Sequence, residues 1–540
     1  MQDFSLGWAS TSAGPRSDIA YNDSSLGWRR NPDYFAQWCG DAPAPGAPLI
    51  ARTNCPGSTQ MSANMRMRLQ PELHPTEFIT IHSQIDVLDN LILGSTPEGY
   101  YVPGRSTWVP LAVFASNQIP PIFGYNGFTN SIVVKRAWAE ITNPSLGQLR
   151  FGRMPSHWGL GILANQGNGY DSDYQSTADR IMYAMRIRRT GIFASLAWDF
   201  PSVGPTSQNV IDETGQGQPY NLGMADDVNQ VLVALGRRAD PARARAAMAR
   251  GQVVLNGGVY FVYRWQGLSS ESNSSTVNPV TVCSSGASCG ANMAFRNANA
   301  AIPDAWLQLL GRDFRIELEA VYIRGGFRSL QLAGGMNENI DYTISQFSGA
   351  LEAEYRALNN RLALEFRSGY ASGDPEMEGL TYSNGLKPQI GGNQVFSLAR
   401  FHPDYRVDLI FWRSIMRQFA GAYYMRPSVT YNFVDDPGGD LLFGRVDVIW
   451  SRASAFQQTR GNHADLGVEI DATLQYQSNH RRPDSLDTRV APGFYFNVQG
   501  GVFFPMAGLG PTDVELATSS FRGFNLATAF TVRSYLGVMF

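Results

Sequence analysis

Hydrophobic and polar residues alternate with a period of two along most of the chain. Between Arg180 and Arg188, Ile181, Tyr183, Met185 and Ile187 fall on one face, with Arg180, Arg186 and Arg188 on the other. From Phe347 to Arg356, Phe347, Leu351, Ala353 and Tyr355 alternate with Ser348, Glu352, Glu354 and Arg356. Leu362, Leu364 and Phe366 then oppose Arg361, Glu365 and Arg367, and Val468, Ile470, Ala472 and Leu474 oppose Glu469, Asp471, Thr473 and Gln475. Successive side chains of an extended strand point to opposite faces, so this pattern predicts strands with one apolar and one polar face. A sandwich with one wet face accounts for any single hairpin of this kind. Many such hairpins fit better in a closed membrane barrel, which turns its apolar face to lipid, its polar face to water, and leaves no unpaired edge. The expected fold is all-β: a transmembrane antiparallel up-and-down β-barrel of about eighteen strands, with about sixteen as the alternative.

Link lengths orient the barrel. Short links at Leu73 to Pro75, Asn143 to Gly147, Arg189 to Gly191, Gly311 to Asp313, Ala357 to Asn360 and Asp435 to Asp440 are expected as periplasmic turns. Long stretches rich in Gly, Ser, Asn and Pro, at Asn90 to Asn130, Pro155 to Thr177, Pro201 to Asp226, Gln266 to Ile302 and Gly373 to Gly421, are expected as extracellular loops. The strand around Arg66 then runs inward and needs an outgoing strand before it, within Met1 to Trp38. Residues 1–61 are read as an N-terminal segment carrying that strand and a disulfide-closed loop, and 62–540 as the rest of a single barrel domain. Asp240-Pro241 predicts a helix start, so Ala242 to Arg250 is expected as a short helix carrying Arg243, Arg245 and Arg250. Those arginines suit either a solvated turn or a periplasmic docking point.

Composition removes competing classes. Of 540 residues 44% are hydrophobic and only 16% charged, and Phe (30), Tyr (23) and Trp (11) are abundant. No apolar run approaches the roughly 18–20 residues of a membrane-spanning helix. A formal net charge of −3 gives no electrostatic footprint for nucleic acid. The hydrophobic content is too high for intrinsic disorder. Cys39 with Cys55 and Cys283 with Cys289 form two close pairs in loop-like sequence, which predicts two local disulfides in an oxidising compartment. Neither pair has His or further Cys nearby, so no metal and no cofactor is expected. The opening Met1-Gln2-Asp3-Phe4 has neither a basic nor an apolar leader region, so an exported protein would be present here as a mature or trimmed chain.

Candidate chemistry lies on the polar strand phase. Arg66, Arg68, His82, Asp86, Arg136, Glu140, Arg150, Arg180, Arg186, Arg188, Arg315, Glu317, Glu319, Glu352, Glu354, Arg356, Glu365 and Arg367 are expected to line a water-filled lumen. Such residues set the field a solute experiences, and equally form ion pairs that hold a wall. The stretch from Phe151 opens a glycine-rich loop with Met154, Gly159, Gly161, Gly167, Gly169, Asp171 and Asp173. Glycines allow tight turns and close packing, as a loop folding into a barrel requires. A lumen constriction and an ordinary external loop are both open here. Phe401 to Trp412 ends in the most apolar part of a long loop, and is expected either to narrow the lumen or to extend the following strand. The six histidines are scattered, and Ser156 beside His157 has no orienting carboxylate at a telling position, so no catalytic residue is expected. Leu526, Phe530, Val532, Leu536, Val538 and Phe540 alternate to an aromatic end, which resembles the signal read by the barrel assembly machinery.

The strings RFGRMPSHWGLGILANQGNG, QIDVLDNLILGSTP (Gln84 to Pro97) and PDYRVDLIFWR resemble a family of large outer-membrane β-barrels from deltaproteobacteria, myxobacteria in particular. The resemblance spans about Asn64 to Tyr424. It implies fold and location and carries no substrate. A strand ending in Gly-Arg before a glycine-rich loop is similar, more loosely, to porins of the polysaccharide-export type. Together these observations point to a porin-like outer-membrane channel for small polar solutes, anionic or saccharide. Its expected partners are membrane lipid, lipopolysaccharide and the assembly machinery, with a homotrimer as one arrangement. The competing reading is a surface scaffold for adhesion or polymer export, binding through its long loops.

Overall fold

The computed structural model describes residues 2–9, 59–92, 132–169, 171–172, 174–187, 190–202, 227–270, 293–333, 336–375, 394–436, 440–456, 459, 461–478, 493–510 and 528–539. Cys39, Cys55, Cys283, Cys289, Asp173, Arg188 and Phe540 lie outside the described residues.

The alternating segments form strands in chain order. The first quarter of the sheet holds β1 (Gln2–Ala9), β2 (Thr59–Leu69), β3 (Glu72–Thr76), β4 (Ile79–Ile92) and β5 (Ile132–Asn143). Next come β6 (Gly147–Pro155), β7 (Thr177–Arg186), β8 (Ile192–Ser202), β9 (Val228–Arg237) and β10 (Val254–Ser270). These are followed by β11 (Met293–Leu310), β12 (Phe314–Ala333), β13 (Met336–Ala357), β14 (Leu362–Ala371) and β15 (Val395–Phe396). The chain closes with β16 (Ala422–Asp435), β17 (Leu441–Ala453), β18 (Asp465–Gln477), β19 (Gly493–Pro505) and β20 (Ala529–Met539).

Of these twenty strands, β3 prolongs β2 along β4, and β15 is a two-residue parallel rung on β13 inside a loop. The remaining eighteen pair antiparallel with their ring neighbours. The ring shuts where β20 meets β1, in register from Gln2↔Leu536 to Ala9↔Ala529. Closure leaves the ring without an open edge, which hydrocarbon demands.

Burial along a single strand identifies the solvent on each side. On β17, Val446 and Val448 are 50% and 40% exposed, whereas Asp447 between them is 2% exposed. A water-soluble sheet would show the opposite. The same inversion recurs at Ile181, Tyr183 and Met185 beside buried Arg180, and at Leu318 beside buried Glu317 and Glu319. The outer face is therefore apolar around the ring and the charged phase points inward.

Most periplasmic links fall where the sequence indicates, at 144–146, 187–191, 311–313 and 358–361. The first differs: Leu73 to Pro75 stays extended in β3, and the chain turns at Glu77 and Phe78. The outer loop expected over Gln266 to Ile302 is also shorter, because β10 continues to Ser270 and β11 begins at Met293. Alternation there is blurred by small residues, so the strand ends carry little periodic signal. Helix α1 (Pro241–Ala249) bridges β9 and β10. Its N-cap Asp240 accepts from the N–H groups of Ala242 and Arg243, and Ala244 packs against Val254 and Leu310 at the rim.

Candidate constriction inside the barrel

Two external loops fold into the lumen. The first runs over 156–176 between β6 and β7. Its neck is closed by Ser156 N–H donating to the Ser176 carbonyl at 2.9 Å and Ser176 N–H to the Asn165 carbonyl at 2.6 Å. Trp158 and Ile162 at its tip are buried. Trp158 stacks on Tyr260 of β10 at 5.3 Å and meets Trp306 of β11 edge-on at 6.3 Å.

Glycine is required at that tip. Gly159 has φ +52°, and a Cβ there would lie 2.6 Å from Oε2 of Glu319. The neighbouring Gly161 N–H donates to the same carboxylate at 2.9 Å. The other arm of the loop reaches the opposite wall. Arg66 donates to the Ser172 carbonyl at 2.7 Å, Arg68 to the Gly167 carbonyl at 3.0 Å, and Arg136 to the Gln166 carbonyl and to Asn168 Oδ1. Gln175 donates to Gln84 at 2.9 Å.

The second loop, 394–421, packs against β13 and β16 to β20. Phe401, Phe411, Trp412 and Phe419 are buried in one aromatic cluster with Tyr405 and Tyr424. Phe411 stacks on Phe503 of β19 at 4.9 Å, and Trp412 Nε1 donates to Ser451 of β17 at 2.9 Å. Residues Phe411–Ile415 form a π-helical turn. The stretch expected either to narrow the lumen or to prolong a strand thus packs against the inner side of the wall and does not prolong β16.

The loops meet each other. His402 N–H donates to the Ile162 carbonyl at 2.7 Å, Ser172 Oγ to Asp404 at 2.7 Å, and Arg413 pairs with Asp171. Arg533 of β20 also faces Asp171 at 3.8 Å. Burial works to raise the Asp171 carboxyl, but Arg413, Arg533 and Arg406 together hold it below the usual carboxylate range. Burial, then Arg406 and His157, push the His402 ring down to about 4. Burial and Arg238 likewise lower His157.

These contacts assign the wall residues. Arg66, Arg68, Arg136 and Glu319 anchor the first loop, and Asp86 holds Arg68 through two bonds of 2.7 and 2.8 Å. Arg180 pairs with Asp199 of β8, and Arg186 donates to the Arg238 carbonyl at 3.1 Å. Arg150 and His82 converge on Glu140 at 3.0 and 3.5 Å. Arg315 joins Glu317, Glu352 and Glu354 at 3.1, 3.4 and 3.5 Å, and Arg356 also pairs with Glu354. Arg367 spans Glu352 and Glu365 at 3.5 and 3.3 Å.

Arg66, Asp86, Arg136, Arg180, Glu317 and Glu319 lie on the inward phase and are buried beneath a loop or a neighbour, which favours the wall-holding role of the two open to them. Arg150, Arg315, Arg356 and Arg367 keep side-chain exposure of 25% or more. Other groups enter the site from strands whose polar phase was legible but whose role was not: Asp199, Arg426, Asp447, Glu469, Asp471 and Arg533. Arg426 and Arg445 both reach Asp447, at 3.0 and 2.8 Å, which extends the ion-pair network across β16 and β17.

No protein-family model matches the chain, and no curated protein matches it. Among solved structures, it is similar to OccK11 (OpdR) of Pseudomonas aeruginosa, at 11% identity and TM-score 0.40 over 89% of this chain and 92% of that one. OccK8 (OprE) of the same organism gives 9% identity and TM-score 0.39 over 100% and 97%. OmpT, an outer membrane protein of Vibrio cholerae, gives 8% and 0.26 over 89% and 91%. The fold stands on this chain's own strand pairing and on its inverted burial. A closed antiparallel ring with an apolar exterior and a charged interior is an integral β-barrel of the bacterial outer membrane.

Proposed function

We propose that this protein is a passive, porin-like channel for small polar solutes, with selectivity set by the two loops inside the barrel. One observation carries the reading: loops from opposite parts of the ring turn inward, bind the lumen wall and meet at a polar seam. A surface scaffold would present these segments outward to a partner. Here their backbone groups are satisfied by wall side chains instead. Of the wall charges, Arg150, Arg315, Arg356 and Arg367 keep side-chain exposure of 25% or more while Glu140, Glu317, Glu352, Glu354 and Glu365 beside them keep 13% or less, which supports anions over neutral saccharides as the preferred solutes. Membership of the myxobacterial barrel family, a trimeric assembly and delivery by the barrel assembly machinery belong to the same proposal.

Single-channel recording in a planar bilayer tests it. Steady ohmic conductance, an anion-selective reversal potential in a salt gradient, and a several-fold rise after deleting 401–416 are expected, with a smaller rise after deleting Gly159 to Asp173. Absence of conductance from the wild type and from both deletions would exclude a channel and return the search to partners of the outer loops.

A further inference from the structure

The second inner loop meets β18 at three carboxylates. Asp408 on the loop and Glu469 and Asp471 on the strand are each at most 3% exposed. Glu469 accepts from the N–H groups of Leu409, Ile410 and Phe411 at 2.9, 2.7 and 3.0 Å, so it holds the loop backbone directly. Asp408 accepts from Trp412 N–H at 2.9 Å and Arg413 N–H at 3.1 Å, which shapes the π-helical turn. Asp471 lies two residues from Glu469 on the same strand face, and both interact with Asp408.

The other charged groups facing this cluster are Arg413 from the loop, Arg426 from β16 and Asp447 from β17. Both arginines are shared with other acids: Arg426 with Asp447 at 3.0 Å, and Arg413 with Asp171. Like charges this close and out of water do not all stay ionised.

We propose that Asp408, Glu469 and Asp471 form a proton-held latch, which keeps the loop on β18 while the cluster holds a proton and releases it when that proton is lost. The inference rests on the channel reading and supplies its regulation. On opening, the proton passes to solvent and each carboxylate is rehydrated separately. Burial pushes Asp408 up to about 6, against the N–H groups of Trp412 and Arg413 and the charges of Arg426 and Arg413. Exposed carboxylates release their protons near pH 4. The latched state therefore binds more protons than the released state between these values, so falling pH favours the latch and rising pH opens it.

The experiment uses the full chain, folded in detergent. Hydrogen-exchange protection factors of the Leu409, Ile410 and Phe411 amides are followed from pH 5 to 8, beside single-channel conductance. Wild-type protection should fall by about tenfold as pH rises, with conductance rising in step. Asp471→Asn removes one negative charge and none of the acceptors used by the loop, and should hold protection at its pH 5 level throughout. Asp408→Asn makes the same charge change on the loop side, should Asp471→Asn fail to fold. Wild-type protection that is flat, or a fall of equal size in the folded variant, overturns the latch whatever the conductance. A flat profile in a protein that conducts leaves the channel reading standing; protection that falls in a protein that never conducts leaves the latch standing and removes the channel.

Discussion

Beyond its Trp158 tip, the far arm of loop 156–176 holds to the barrel through its backbone carbonyls, which Arg66, Arg68 and Arg136 reach from the wall. Loop 394–421 holds through a buried aromatic cluster, with its N–H groups turned onto Glu469 and Asp408. The difference follows from composition. A glycine-rich segment has few side chains with which to build a core, so its buried backbone must be satisfied by the wall. A segment rich in Phe and Trp excludes water by itself and leaves only the backbone at its turn to be capped. One loop should therefore respond to loss of wall arginines, and the other to loss of its own aromatics.

The largest effect expected from a point change is on the second loop. Trp412 is buried, packs on Phe411 and Phe419, and donates to Ser451. Trp412→Ala should loosen the loop by about 3–5 kcal/mol, while the ring keeps its strand content. Limited proteolysis within 394–421 of the folded barrel reads this directly. Unchanged resistance to nicking would show that the aromatic cluster is not what holds the loop.

Arg136→Ala sharpens the contrast from the other side. It removes donors to the Gln166 carbonyl and Asn168, and should weaken the first loop by about 1–3 kcal/mol. Amide exchange should rise within 165–169 and stay constant at 409–416. An equal rise in both segments would mean that the loops act as one unit, and the comparison would fail.

The last effect concerns the seam and is confined to acid pH. His402 is pushed down to about 4, its Nδ1 accepts from Asp404 N–H at 3.1 Å, and its own N–H holds the Ile162 carbonyl. The packed state favours the neutral ring, so the unpacked state binds more protons between about 4 and an ordinary value of about 6.5. The contact is complete above that window and weakens as pH falls through it. Exchange of the His402 amide, corrected for intrinsic rate, should accelerate over this range, and His402→Gln should remove the dependence. This trend opposes that of the carboxylate latch, and the difference between wild type and Asp471→Asn separates the two.

Much of the wall was legible in the chain because strand phase is a local property. The alternation of Val468, Ile470 and Leu474 with Glu469 and Asp471 is visible without any partner, and so are the two faces it creates. Glycines 159 and 161 signalled a loop able to pack closely, and the apolar end of Phe401 to Trp412 signalled a segment seeking burial. Nothing local says which wall they meet. The carboxylate beneath Gly159 and Gly161 is Glu319, about 160 residues away along the chain.

The closed β-barrel, the face each strand turns to lipid, and the sides on which short and long links lie can be read from the chain alone, because period-two patterning and link length are written residue by residue. Three-dimensional packing was needed to show that two loops turn inward, that Arg66, Arg136 and Glu319 anchor them, and that Asp408 meets Glu469 and Asp471. Those outcomes depend on segments such as Ser172 and Asp404, 232 residues apart, being brought into one desolvated space. A polar residue on the inward phase reads the same in sequence whether water or a distant loop lies against it; its energetic role is set by which of them occupies that space.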